Sequence, residues 1–187
     1  MSNWNQDIYA KAWNYATRAH HGQTYGGPNE GETIDYINHI ASVAMEVMWA
    51  LQFDPDANGD LAIQCALLHD TIEDTASTFA SIEQHFGRQV ANGVLALSKN
   101  PDLPKAEQLA DSLTRIGEQG REIGMVKMAD RITNLYHPPF YWQNEKILSY
   151  QAEAHTILTA LAPANQHLAQ RLQQKIQDYP QFLRPAK

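Results

Sequence analysis

The chain has 187 residues, 43% of them hydrophobic, and a formal net charge of −7 at pH 7. That length and apolar content suffice for one domain with a real core and exclude a disordered polymer. The acidic balance speaks against a surface that coats DNA or RNA, which needs a basic face, but it is compatible with a small phosphorylated ligand held by a metal ion and a few local cations. No apolar run reaches the roughly 18 residues of a membrane span, so no membrane partner is expected. The N-terminal "MSNWNQDIYAKAW" lacks the apolar region of a signal peptide. The single cysteine, Cys65, lies in an apolar run, where a buried thiol is expected. Together these features point to a cytoplasmic protein.

Helical spacing dominates the chain. Ile8, Ala12, Tyr15, Ala16 and Ala19 predict a first helix. "QTYGGPNEGETID" is rich in Gly, Pro and Asn and reads as a loop. Ile37, Ile40, Val43, Ala44, Val47, Met48 and Leu51 define a second helix, which "DPDANGD" ends. Leu61 to about Asp70 reads as a buried helix. Ser77 or Thr78 can cap a short helix that ends near Phe86 and Gly87, where glycine suits the position after a helix. Arg88 to Leu97 continues as helix, and Pro104 suits the first position of the next. Glu122 to Tyr136 is helical and stops at His137-Pro138-Pro139. Two more helices, at about 142–161 and 165–178, close the chain. No run alternates with a two-residue period, so no strand is expected. The predicted fold is all-α, a compact bundle of about eight to ten helices. It forms one domain over 1–187, with a motif-bearing core at about 5–160 and a C-terminal helix at about 165–178.

Chemistry concentrates in "ALLHDTIEDT", where a buried-looking helix runs into His69, Asp70, Glu73 and Asp74. Unpaired buried charge is costly, so these groups need a partner. Metal ligands are drawn from His, Asp, Glu and Cys, and they must converge. His69 and Asp70 diverge by about 100° on a helix, so both can flank one ion. His39, in "YINHIASVA", lies on the edge of an apolar stripe and faces inward. Asp130, in "MVKMADRITNL", sits mid-helix among Ile123, Val126 and Leu135. Two histidines and two aspartates on three helices suit Mn²⁺, Fe²⁺, Mg²⁺ or Zn²⁺ alike. If the helix continues past His69, Glu73 lies one turn after His69 and Asp74 one turn after Asp70. Both carboxylates then hang beside the metal and can move protons without binding it. Asn134 follows Asp130 by one turn. Lys127 and Arg131 can each offset phosphate charge or form a salt bridge, and Lys99 is a further phosphate candidate. His85, His137, His155 and His167 have no comparable support, although His137 before two prolines can line a cleft.

The order His…His-Asp…Asp on a helical chain resembles the HD-domain metal-dependent phosphohydrolases. "ALLHDTIEDT", "FASIEQHFGRQVANGVLALSK" and "MVKMADRITNL", with the upstream "AHHGQ" and "YINHIASVA", look more specifically like the hydrolase domain of the bifunctional alarmone synthetase-hydrolases and the small alarmone hydrolases. The resemblance runs from about Asn5 to Ala154. It implies His39, His69, Asp70 and Asp130 as ligands of one divalent metal, with Mn²⁺ the first choice. It implies Glu73 and Asp74 as the catalytic acids, and Asn134 as a contact to the ribose or 5′-phosphate side. The implied reaction is hydrolysis of the 3′-pyrophosphate of (p)ppGpp to GDP or GTP and pyrophosphate. The chain is too short for a synthetase domain as well, so hydrolysis without synthesis is expected.

The resemblance fails at base recognition. The family places basic residues after H-x-G-Q to contact guanine; here Thr24, Tyr25, Gly26 and Gly27 stand there. The loop to "YINH" is longer, Ile40 replaces a proline, and Lys105 is the one cation from Lys105 to Ala110. No Lys or Arg occurs between Arg18 and Arg88. Tyr25 and Tyr150 can stack on a base or simply pack. An adenosine alarmone (ppApp), another phosphorylated nucleotide, and a sensor that binds nucleotide without turnover are the alternatives. Retention of Glu73 and Asp74 speaks against the sensor. The expected partner is a small phosphorylated nucleotide and not a nucleic-acid polymer, with the oligomeric state left open.

Overall fold

The computed structural model describes residues 3–185. The first helix, α1 (Gln6–Ala19), starts at Asn5, whose side chain accepts from the backbone N–H groups of Asp7 and Ile8; this satisfies donors that a helix start leaves open. A hairpin follows, with β1 (Thr24–Gly26) antiparallel to β2 (Thr33–Asp35) and Tyr25 opposite Ile34. The loop reading of this stretch therefore needs correcting. Strands of three residues are too short to show a two-residue period.

Helices α2 (Ile37–Leu51) and α3 (Gly59–Leu68) pack together, and Asn58 caps α3 through its side chain. The predicted helix to Asp70 stops earlier. Asp70 leaves helical geometry at φ −99°, ψ 0°, and α4 (Thr71–Asp74) resumes as one turn, with Asp74 N–H donating to the Asp70 carbonyl at 2.9 Å. Thr78 caps α5 (Phe79–Phe86) in a reciprocal pair with Ser81. Gly87, at φ +86°, then turns the chain into α6 (Arg88–Leu97), a conformation that favours glycine. Pro104 immediately precedes α7 (Lys105–Gly117) rather than opening it. Next come α8 (Arg121–Asn134), α9 (Asn144–Leu161) and α10 (Gln166–Asp178), each within two residues of its predicted bounds, with short 3₁₀ turns at Ala162–Ala164 and Tyr179–Phe182.

The architecture is an all-α bundle built around α8. From Glu122 to Thr133 every residue of α8 except Lys127 is buried, and the helix touches α2, α3, α6, α7, α9 and α10. Its approach to α3 and α6 is close. A Cβ at Gly93 of α6 would stand 2.6 Å from Ile123 Cδ1 and 2.8 Å from Cys65 Sγ, so any larger residue would have to displace those side chains. Cys65 is buried, as its apolar surroundings predict. No helix among the described residues is long and apolar enough to cross a membrane.

One ion pair, buried on its Glu46 side, ties α2 to the middle of α10 and to Tyr136 just past the end of α8. Glu46, 2% exposed, takes two N–H donors from Arg171, each at 2.5 Å, and the Tyr136 hydroxyl at 2.6 Å. Glu46 follows His39 by two turns of the same helix, so the tie also sets the pose of His39. Removing one partner of a fully buried pair costs about 3–5 kcal/mol. Arg171 is 39% exposed and Tyr136 would still donate, so Arg171→Met should cost about 2–3 kcal/mol in urea unfolding. A variant as stable as the parent would show that water replaces the guanidinium without loss.

Candidate active site

Three helices deliver four ligand-type atoms to one point. His39 stands in the first turn of α2, His69 ends α3, Asp70 follows at the break, and Asp130 projects from the middle of α8. His39 Nε2 lies 3.2 Å from His69 Nε2, 3.4 Å from Asp130 Oδ1 and 3.6 Å from Asp70 Oδ2. His69 Nε2 is 2.8 Å from Asp70 Oδ2 and 4.0 Å from Asp130 Oδ1. The helix breaks at Asp70, and there its carboxylate meets the His69 imidazole at 2.8 Å.

The donor set fits a divalent cation. His69 Nδ1 lies 2.8 Å from the Ala66 carbonyl, which can only accept, so Nδ1 carries the hydrogen and the Nε2 lone pair faces the cluster. Metal bonds of about 2.1 Å place neighbouring ligand atoms about 3.0 Å apart in an octahedron and about 3.4 Å apart in a tetrahedron. The observed spacings bracket both values. One ligand atom each from His39, His69 and Asp70 can be chosen so that all lie within 4.8 Å of one another. The electrostatics show the same demand for positive charge. Burial alone would lower the pKa of His39, yet the carboxylates of Asp130 and Asp70 push it up to about 9. His69 is raised too, with Asp70 outweighing burial. Burial opposes ionisation of Asp130, but Lys127 and the two imidazoles hold its carboxyl well below the usual range.

The acidic pair lies on α4, beside this cluster. Glu73 accepts from the Lys99 backbone N–H at 2.8 Å and from Lys99 Nζ at 2.5 Å. Asp74 Oδ2 is 3.3 Å from the Tyr36 hydroxyl. Burial raises the Asp74 pKa, and the charges of Asp70 and Glu73 add to the effect. A cavity of about 730 Å³ opens on the far side of the pair, lined by Glu73, Asp74, Lys99, Asn100, Gln108 and Arg115 among others. Arg115 is engaged there by Asp111 and by the carbonyls of Leu95 and Ser98, and Lys99 by Glu73.

A family model described as HD domain matches residues 12–173. The chain belongs to the HD-domain family. Its relatives include two vertebrate proteins named guanosine-3′,5′-bis(diphosphate) 3′-pyrophosphohydrolase MESH1. The one from Danio rerio is 32% identical over 165 residues, 86% of this chain and 88% of that protein. The one from Xenopus tropicalis is 31% identical over 175 residues, 91% and 94% of the two chains. Among solved structures, one described as a metazoan ortholog of SpoT that hydrolyzes ppGpp superposes with a TM-score of 0.78 at 23% identity, covering 94% of this chain and 97% of its own. That likeness confirms the all-α HD-domain fold.

The remaining candidates divide within this HD-domain frame. Asn134 Nδ2 donates to Asp130 Oδ1 at 2.5 Å, and Lys127 Nζ is 3.1 Å from Asp130 Oδ2, so both back the Asp130 carboxylate. Arg131 turns to α9 instead. It pairs with Glu153 at 3.2 Å and stacks 3.8 Å over the Tyr150 ring. Of the two roles open to Arg131, the structure shows the salt bridge, and its guanidinium covers one face of Tyr150. Tyr25, on the hairpin, accepts from Asn38 Nδ2 at 2.8 Å. His85 and His137 instead make ring contacts with Tyr15 and Phe182, away from the cluster. Sequence reasoning missed Tyr36, whose hydroxyl donates to Asp70 Oδ2 at 2.6 Å; its place three residues before His39, one turn away, was the available signal.

Single alanine substitutions at His69 or Asp70 should abolish metal retention through gel filtration, measured by elemental analysis. Full occupancy in His69→Ala would rule out a centre at this point.

Proposed function

We propose that this HD-domain chain hydrolyses the 3′-pyrophosphate of the guanosine alarmone (p)ppGpp, giving GDP or GTP and pyrophosphate. One observation carries the reading. Two imidazoles and two carboxylates converge beside a second acidic pair, in a chain 32% identical over most of its length to a protein named for that reaction.

In the reaction, water adds to the phosphorus attached to the ribose 3′-oxygen, the bond between them breaks, and the 3′-oxygen leaves with a proton. His39, His69, Asp70 and Asp130 would hold the divalent ion, with Mn²⁺ the first choice. When bound, it supplies Lewis-acid charge to a phosphoryl oxygen and activates water near neutral pH. Glu73 and Asp74 move the protons. One takes a proton from the attacking water, and the other returns one to the leaving oxygen. Lys99, on the cavity beside them, and Lys127, behind Asp130, answer phosphate charge. Asn134 reads the ribose side with the amide oxygen that its bond to Asp130 leaves free.

General acid–base groups contribute about 10²–10⁴-fold to rate. Glu73→Gln and Asp74→Asn should lose kcat on that scale while retaining metal and fold, as measured by steady-state kinetics on ppGpp with elemental analysis alongside. Wild-type turnover in both variants would reduce the pair to a helix end.

A second reading, of the base, follows from the hairpin. No lysine or arginine lies between Arg18 and Arg88, and Tyr25 is already hydrogen-bonded to Asn38. Guanine presents O6 and N7 as acceptors, which basic side chains read well, and adenine presents a donor amine at that edge. One good bidentate contact is worth roughly 1–3 kcal/mol of discrimination in nucleic-acid readout. By analogy, the ratio of kcat/KM for ppGpp over ppApp should be about one to two orders of magnitude narrower than in relatives with the basic residues after H-x-G-Q. The comparison is made at fixed Mn²⁺ and salt. A strong guanine preference that survives substitution of Thr24 and Tyr25 places base reading elsewhere.

A further inference from the structure

Tyr36 stands at the N-terminus of α2, and its oxygen faces two carboxylates at once. It lies 2.6 Å from Asp70 Oδ2, one of the candidate ligands, and 3.3 Å from Asp74 Oδ2, one of the candidate proton-transfer groups. The ring is held on several sides. His20 stacks on it with centroids 5.0 Å apart and planes at 28°. Tyr25 meets it edge-on at 6.1 Å, and His39 lies 5.5 Å away. The Tyr36 backbone N–H donates to the Gln23 carbonyl at 2.9 Å.

Gln23 grips α4 from the same loop. Its side-chain oxygen accepts from His20 Nδ1 at 2.7 Å, and its amide donates to the Asp74 carbonyl at 2.6 Å. The loop after α1 thus fixes both the phenol and the chain segment that carries Asp74. Neither bond reaches a ligand atom directly. Their common effect is to place one hydroxyl between Asp70 and Asp74.

We infer that Tyr36 is a positioning residue that couples the metal centre to the proton-transfer pair. Its O–H fixes which oxygen of Asp70 faces the cluster and keeps Asp74 Oδ2 turned toward Asp70. Partners that orient ligating carboxylates typically matter 10–100-fold in metal affinity or activity. Tyr36 works through Asp70 and Asp74, without touching the reacting atoms. Its effect on turnover rests on the hydrolytic reading above, whereas its effect on metal binding rests on the geometry alone.

Tyr36→Phe keeps the ring and its stacking and removes only the hydroxyl. The thermal midpoint should stay close to that of the parent. The Kd for Mn²⁺, measured by titration calorimetry, should rise about 10–100-fold. At saturating Mn²⁺, kcat on ppGpp should fall with little change in KM. That fall should largely vanish in an Asp74→Asn background and persist in a Glu73→Gln background, because interactions carried by one partner are lost once that partner is gone. Unchanged Mn²⁺ affinity in Tyr36→Phe overturns the inference, as does an equal kcat loss with and without Asp74. If the parent protein turns over no nucleoside 3′-pyrophosphate, the hydrolytic reading fails, and the Mn²⁺ titration alone then decides the role of Tyr36.

Discussion

Gathering two imidazoles and two carboxylates at one largely buried point, with each imidazole within about 4 Å of both carboxylates, is the constraint on which the rest of this structure depends. Charge taken out of water is costly unless it is paired and hydrogen-bonded. Three of the four groups have a second anchor. His69 is fixed by the Ala66 carbonyl, Asp70 by Tyr36, and Asp130 by Lys127 and Asn134. Even so, two adjacent carboxylates draw protons onto the histidines, and His39 is pushed up to about 9 against the effect of its burial. A divalent cation meets the same demand with two charges at one point.

The helices are arranged to serve that point. His39 depends on the pose of α2, which Glu46 locks to Tyr136 and Arg171 from two turns further along. Asp130 depends on how deeply α8 enters the bundle. Gly93 lets α6 approach Ile123 on α8 and Cys65 on α3 without displacing either side chain. Asp70 depends on a defect. Helix α3 stops one residue short of His69, the chain relaxes at Asp70, and one turn of α4 then carries Glu73 and Asp74 beside the cluster.

The legible parts of this fold were those with long periods. The stripe from Ile37 to Leu51 and the one around Ile123, Val126 and Leu135 give helices whose ends fall within a residue or two of those observed, because each buries one continuous face. The hairpin was not legible, since strands of three residues offer no period to detect. The break at Asp70 was hidden for a related reason, as helical spacing runs through it and the αR geometry of His69 gives no warning. Within the site, residue type and burial singled out His39, His69, Asp70 and Asp130, and the structure brings them together. Arg131 could not be placed the same way. Its role turns on whether Glu153 and Tyr150, about 20 positions away, come within reach, which is a property of how α9 docks. Tyr36 was overlooked because a tyrosine at a helix start reads as packing until its hydroxyl is seen between two carboxylates.

Adjacent in sequence, Glu73 and Asp74 occupy opposite surroundings. Glu73 turns to Lys99, which offers its carboxylate two N–H donors, one from the backbone and one from the side chain. Asp74 is the more exposed of the two, yet partial burial and the charges of Asp70 and Glu73 raise its pKa, while the Tyr36 hydroxyl and the charge of Lys99 lower it. A four-residue helix following a break is what makes this possible. Successive residues on one turn point about 100° apart, so one carboxylate reaches the cation of the neighbouring loop while the next reaches the Tyr36 hydroxyl. Hydrolysis of a phosphate ester needs a proton acceptor and a proton donor at the same time. Under the proposed reaction, two carboxylates with unlike partners can divide these roles, where two with like partners would compete for one. The short turn of α4 therefore does more than continue the helix of the HD pair: it sorts two chemically similar side chains into different electrostatic neighbourhoods within a single helical turn.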